Sequence, residues 1–251
     1  GDLLPSRGHG ETLWGYRLGA ALELGAGWRL KSHYGRYRRA PSFFELFGDR
    51  GAAIGNAELD SERGRNRDIG LVYRGEPEGA GLLLAEVVYY ANRVDDLIRF
   101  AQNSQRVSKP DNFGRAALRG VEARAQARLA RRLELGGNYL YQRAENRTPF
   151  SFERGNDLPN APRHRLNGRV GLDLPLGTVH YEFSRESRHF LDRANLRTVP
   201  VRTLHHVGGR VPLRGGIALS WALRNLRDNR VADLWGYPLP GRSYALSIHY
   251  H

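Results

Sequence analysis

"VEARAQARLARRLELGGNYLY", residues Val121 to Tyr141, is the stretch on which the fold turns. Val121, Ala123, Ala125 and Ala127 alternate with Glu122, Arg124, Gln126 and Arg128. A period of two sorts residues onto opposite faces only in an extended strand. After the short break "ARR" at 130–132 the alternation resumes through Leu133, Leu135, Tyr139 and Tyr141. The stretch therefore reads as a hairpin with a tight turn, one apolar face and one charged face.

Working outward, the pattern repeats along the chain. Trp14, Tyr16, Leu18, Ala20, Leu22 and Leu24 share a face opposite Arg17 and Glu23, and Trp28, Leu30, Ser32 and Tyr34 oppose Arg29, Lys31 and His33. Ile69, Leu71 and Tyr73 follow, then Leu83, Ala85, Val87 and Tyr89. Beyond the opening hairpin come Leu166, Val170, Leu172 and Leu174, then Val179, Tyr181 and Phe183. Val201, Thr203 and Val207 precede Ile217, Leu219, Trp221 and Leu223, and Tyr244, Leu246, Ile248 and Tyr250 close the series. About eleven strands result, too regular a series for a mixed fold, so the class is all-β.

A soluble sandwich also alternates, and the connections separate the two readings. No run of about 18 apolar residues exists, which excludes a membrane helix but not a membrane barrel. Alternate connections are tight, at 25–27, 75–79, 130–132, 175–177 and 212–215, and those between them are long, near 38–62, 101–112, 144–162, 185–200 and 227–241. Short turns on one side and long loops on the other mark an antiparallel transmembrane β-barrel of the bacterial outer membrane, with the short turns in the periplasm. Leu83, Val87, Val121, Leu135, Val170, Tyr181, Leu219 and Leu246 are then expected to face lipid. Glu86, Glu122, Arg124, Asn138, Asn167, Glu182 and Arg224 are expected to face a watery lumen. If Gly1–Gly10 ends a long outer loop, eleven strands bring the C-terminus to the periplasmic side. An odd count leaves a parallel seam in a closed antiparallel sheet, so the chain reads as part of a larger barrel.

Composition narrows the partners. Lys+Arg 39 against Asp+Glu 26 gives +13, with Lys31 and Lys109 the only lysines. That balance permits nucleic acid, an anionic membrane surface or an anionic ligand. With no cysteine, neither a disulfide nor a thiolate metal site is available. With no methionine the chain lacks its own start, and a mature or truncated product is expected.

Several longer motifs carry a resemblance. "RAPSFFELFG" at 39–48, followed by "GNAELDSERGRNRDIGLVY" at 55–73, resembles the place in TonB-dependent outer-membrane receptors where an outer loop descends into the next barrel strand. "VYYANRVDDLI", "NFGRAALRGVEARAQ", "LRNLRD" and "GYPLPGRSYALSIHY" resemble the family's later strands, in the family's order. The resemblance covers nearly the whole chain, 1–251, and implies the C-terminal portion of a 22-stranded barrel. It further implies a plug domain, absent here, through which the TonB–ExbB–ExbD system would act. The family's usual terminal phenylalanine is missing after Tyr250 and His251, so truncation is expected at this end too. The implied function is import of a scarce nutrient, an iron–siderophore, haem or corrinoid, with no cofactor and no catalytic chemistry.

Three basic, aromatic loops are the candidate ligand sites. The first carries Phe43, Phe44 and Phe47 beside Arg36, Arg38, Arg39 and Arg50; the second Arg147, Phe150, Phe152 and Arg154; the third Arg188, His189, Phe190 and Arg193. Cation–π and charge-assisted contacts suit a large aromatic or anionic ligand. The alternative is that these phenylalanines pack under neighbouring loops while the arginines meet outer-membrane lipid and lipopolysaccharide. His205 and His206 are adjacent, so they fall on opposite faces and cannot share one metal in a regular strand. Two rivals stand beside the importer. An outer-membrane barrel hydrolase would need a rim dyad of Asp and His, for which Asp95 and Asp96 are the acidic candidates. A basic soluble β domain binding nucleic acid would need aromatics and charges interleaved on one face, whereas here they separate, which argues against nucleic acid.

Overall fold

The computed structural model describes residues 14–48, 53–76, 80–102, 107–130, 132–149, 152–230, 232–234 and 237–250. Strand β1 (Tyr16–Gly25) turns into β2 (Trp28–Arg39) through Gly25, Ala26 and Gly27, all left-handed, with φ of 85°, 48° and 83°. A Cβ on Gly27 would lie 2.3 Å from the Arg74 carbonyl oxygen, so the turn needs glycine there for space as well as for conformation. Helix α1 (Phe43–Phe47) interrupts the connection to β3 (Glu62–Gly75). There follow β4 (Ala80–Gln102), β5 (Ser108–Leu129), β6 (Leu133–Asn146), β7 (His164–Leu174) and β8 (Gly177–Glu186). A two-stranded ribbon, β9 (His189–Phe190) and β10 (Thr198–Val199), precedes β11 (Arg202–Pro212) and β12 (Ile217–Arg224). A second ribbon, β13 (Ala232–Leu234) and β14 (Tyr237–Pro238), precedes β15 (Ser243–Tyr250).

Eleven of these strands form one antiparallel sheet in the order β1-β2-β3-β4-β5-β6-β7-β8-β11-β12-β15. The sheet is a meander, and the two ribbons sit within long connections rather than in the wall. Register confirms the assignment of faces, because residues directly opposite one another share a face. Leu83, Ala127, Leu135, Val170 and Tyr181 are consecutive partners along one row, and Glu86, Arg124, Asn138 and Asn167 along another. The apolar face is open, with Val87 51% and Tyr89 48% exposed, as a lipid-facing wall requires. The opposite face is held by ion pairs: Glu86 takes both Lys31 and Arg124, and Arg169 pairs with Glu182.

One connection departs from expectation. The segment 101–112, read as a long loop, is mostly strand, since β4 and β5 stay paired out to Gln102 and Ser108. At roughly 3.3 Å per residue, the 23 residues of β4 reach about 75 Å, whereas a membrane strand needs about 9–11 residues. More than half of this hairpin therefore stands outside the bilayer. There both faces meet protein or water, so the alternation that betrays a membrane strand is lost. Its outer part carries a small core of its own: Phe113, Ala116, Ala101, Ala144, Leu158 and Ala161, with Leu97 and Leu118 against it.

Candidate functional site: the outer loops

The first loop is built on a capped helical turn. Ser42 caps α1 by accepting from the Glu45 amide at 3.3 Å, and its own amide donates to Glu45 Oε2 at 2.7 Å, a reciprocal capping box. Arg39 grips Glu45 with Nη1 at 2.8 Å and reaches Glu62, at the start of β3, with Nη2 at 3.0 Å. Glu62 in turn accepts from the Ile98 amide at 3.2 Å, so Arg39 ties the helix to two wall strands. Burial pulls the Glu45 carboxyl up, but bonds from Arg39 and Ser42 outweigh it and hold the group below its usual range. Arg38 points to the opposite side of β2 from Arg39. Phe44 packs against Phe100 with centroids 5.3 Å apart, while Phe43 and Phe47 lie tilted against each other at 4.7 Å and remain 77% and 59% exposed. Packing and presentation thus coexist within one five-residue helix. Arg50 and Phe150 lie outside the described residues.

The second and third loops are bound together. Arg193 Nε donates to Glu153 at 2.9 Å, Nη1 meets Asp111, and the guanidinium lies 4.5 Å over the ring of Phe113, which is 1% exposed. Asn156 Nδ2 donates to the Arg193 carbonyl at 2.9 Å. Asn195, left-handed at φ 59°, accepts from the Asp157 amide at 2.8 Å and donates to the Asp157 carbonyl at 2.9 Å. Arg147 pairs with Glu145, which also takes Arg143. Arg39, Arg147 and Arg193 are therefore engaged in internal ion pairs. Phe152, 91% exposed, and the exposed Arg154 stand clear of this network. The tying carboxylates Glu153, Asp111, Glu45 and Glu62 were not singled out by sequence. Only the Ser42-to-Glu45 spacing offered a readable signal.

Histidines and aspartates occupy structural posts. His189 is half-buried in β9, with Nδ1 3.5 Å from the Ser187 carbonyl oxygen. His205 meets the Tyr181 hydroxyl at 2.6 Å, and His206 Nδ1 accepts from the Asn225 amide at 3.2 Å, on opposite faces as expected. Asp95 and Asp96 pair with Arg115 at 3.4 Å and Arg63 at 2.9 Å. Among the described residues no cluster of three or more metal-ligating side chains occurs.

Known structures share this architecture. Copper transporter OprC superposes with a TM-score of 0.73 at 18% identity, covering 95% of this chain and 39% of that one. The ferric enterobactin receptor PfeA of Pseudomonas aeruginosa, solved with enterobactin, gives 0.69 at 20% identity, covering 94% and 40%. The ferric-catecholate import receptor Fiu of E. coli K12 gives 0.70 at 14% identity, covering 93% and 34%. This chain thus spans about two fifths of the length of the receptors it matches. At such identities the likeness establishes the fold. The family model described as "TonB dependent receptor-like, beta-barrel" matches residues 5–226. Members of that family are transporters rather than enzymes. The chain belongs to the TonB-dependent receptor β-barrel family, whose barrels reside in the bacterial outer membrane.

Proposed function

We propose that this chain is the C-terminal portion of the barrel of an outer-membrane importer whose ligand is an iron–siderophore of catecholate type. The observation that carries the reading is the pairing of exposed aromatic rings with stiffened loops. Phe43, Phe47 and Phe152 are exposed, while Arg39 and Arg193 fasten the segments that carry them through ion pairs to Glu45 and Glu153. Rings held on preorganised loops suit a large, rigid, aromatic ligand, because little ordering entropy is lost on binding. The exposed Arg154, two residues from Phe152, supplies charge for an anionic complex. The likeness to PfeA, a ferric enterobactin receptor, and to Fiu, a ferric-catecholate import receptor, supports the class. Gating in this reading is driven by TonB–ExbB–ExbD through a plug in the whole receptor.

The test is a fluorescence titration of the full-length receptor with a ferric tris-catecholate, haemin, cyanocobalamin and Cu²⁺. The catecholate is expected to bind, and the double variant Phe43→Ala/Phe152→Ala to weaken it at least ~10-fold, about 1.4 kcal/mol. Saturable binding of another of these ligands without the catecholate would overturn the ligand class. Unchanged affinity in an assembled double variant would overturn the site.

A further inference from the structure

The loop between β12 and β15 is gathered on one residue of the "LRNLRD" stretch, Asn225. Its backbone is left-handed, with φ 52°, and it is buried, 4% exposed. Asn225 Oδ1 accepts from the Asn229 amide at 3.0 Å, and Nδ2 donates to the carbonyls of Asn229 at 3.0 Å and Pro240 at 3.3 Å, so both ends of the loop are drawn to it. Arg242 adds a bond from Nη2 to the Leu226 carbonyl at 2.7 Å, and its amide donates to Asp228 at 2.8 Å.

This knot is fastened to the wall through β11. The Leu226 amide donates to the His205 carbonyl at 2.9 Å, Asn229 Nδ2 to the Thr203 carbonyl at 2.6 Å, and the Asn225 amide to His206 Nδ1 at 3.2 Å. The first two acceptors are carbonyls, indifferent to pH; the third is an imidazole nitrogen. A backbone amide can only donate, so Nδ1 holds a lone pair and the ring is neutral, with its proton on Nε2. A protonated ring carries N–H on both nitrogens and meets the Asn225 amide donor to donor. His206 is half-buried and lines a recess of about 450 Å³ on the lumen face, so water reaches it. The charges round that recess are mostly engaged: Glu182, opposite His206 on β8, pairs with Arg169, and Arg124 pairs with Glu86. His205 points to the other face, with Nδ1 2.6 Å from the Tyr181 hydroxyl and Nε2 buried without a partner, so a charge there would be stranded.

We propose that His206 is an acid-sensitive clasp: neutral, it holds the base of the β12–β15 loop to the barrel wall, and on protonation it releases that loop. Arg224 and Arg227 flank Asn225 in the chain, so the new charge also pushes against the segment it had held. The clasp is fully present above the range in which imidazoles titrate and is lost as pH falls through it. None of these residues belongs to the aromatic loop site, so this inference and the ligand reading fail separately.

The experiment is hydrogen exchange of the full-length receptor in a neutral detergent at about pH 7.5 and about pH 5.5, corrected for the intrinsic pH dependence of amide exchange. One proton bound on opening predicts about 10-fold more opening over 223–230 at the lower pH, with 121–141 unchanged. His206→Asn keeps an acceptor oxygen near the Nδ1 position but cannot take up the proton, and should lose the pH dependence. His206→Leu removes the acceptor and should free the loop at both pH values. Heat-modifiable gel migration checks assembly; if the leucine variant fails it, the unmodified receptor and His206→Asn decide the matter. Equal opening at the two pH values in the unmodified receptor, a pH dependence that survives in His206→Asn, or full protection in assembled His206→Leu would overturn the proposal.

Discussion

Replacing Arg193 by alanine should loosen two outer loops while leaving the barrel wall intact. Arg193 joins the loop after β8 to Glu153 in the loop after β6 and to Asp111 and Phe113 in the β4–β5 hairpin. Breaking a buried pair costs about 3–5 kcal/mol, whereas an exposed pair contributes about 0–1. Here the Glu153 side chain is 11% exposed and that of Arg193 32%, which places the loss between those limits, at about 2 kcal/mol. Loss of the contact over Phe113 adds about 0.5–1 kcal/mol. A total of about 2.5–3 kcal/mol raises local opening roughly 70- to 160-fold, and because such openings are local, wall strands keep their protection. Hydrogen exchange in the assembled receptor reads this directly: peptides spanning 152–162 and 189–200 should exchange faster by that factor, while 121–141 should not change. Adding Glu153→Gln to the variant should recover part of the protection, since it removes the stranded charge. Unchanged loop exchange in Arg193→Ala would refute the assignment of Arg193 as the tie, and acceleration throughout the wall would refute the claim that the tie is local.

Three further outcomes follow from the same geometry. Val87→Arg, on the lipid face, should cost about 2–4 kcal/mol in denaturant unfolding from liposomes, whereas Gln126→Arg, on the lumen face of the next strand, should cost less than about 1. Glu45 has its carboxyl held below the usual range, so its stabilisation of α1 is fully present above the unfolded carboxyl pKa and disappears as pH falls through the lower, folded value; exchange over 42–48 should accelerate on that acid limb, and Glu45→Gln should abolish the pH dependence. Expressed by itself, this 251-residue chain should not give a monodisperse monomer in detergent with heat-resistant gel migration, because β1 and β15 each pair on one side only and unpaired backbone groups in hydrocarbon cost several kcal/mol.

Most of the wall was legible because a membrane barrel imposes one strict rule. Lipid on one side and water on the other force every spanning strand to alternate, and a one-residue slip would expose charge to hydrocarbon. The turns were legible for a related reason: a tight periplasmic hairpin such as Gly25–Ala26–Gly27 needs left-handed residues, and glycine announces them. Where the bilayer stops, so does the rule. The tip of the β4–β5 hairpin, 101–112, therefore read as a loop, and the ribbon β9–β10, two residues per strand, is too short to show any period.

The loops were legible in composition but not in partnership. That Arg39, Arg147 and Arg193 lie in outer loops follows from the strand count; that each is met by a carboxylate depends on contacts such as Arg193 with Asp111, 82 residues away. No local pattern encodes such a distance. The outward arginines present the opposite case. Alternation alone places Arg65, Arg67, Arg93 and Arg119 on the lipid side, but only register shows that Arg36, Arg65 and Arg93 stand side by side. On the lumen face Arg124, Arg165 and Arg202 are each met by a carboxylate of a neighbouring strand, a contact that register decides and no local pattern announces.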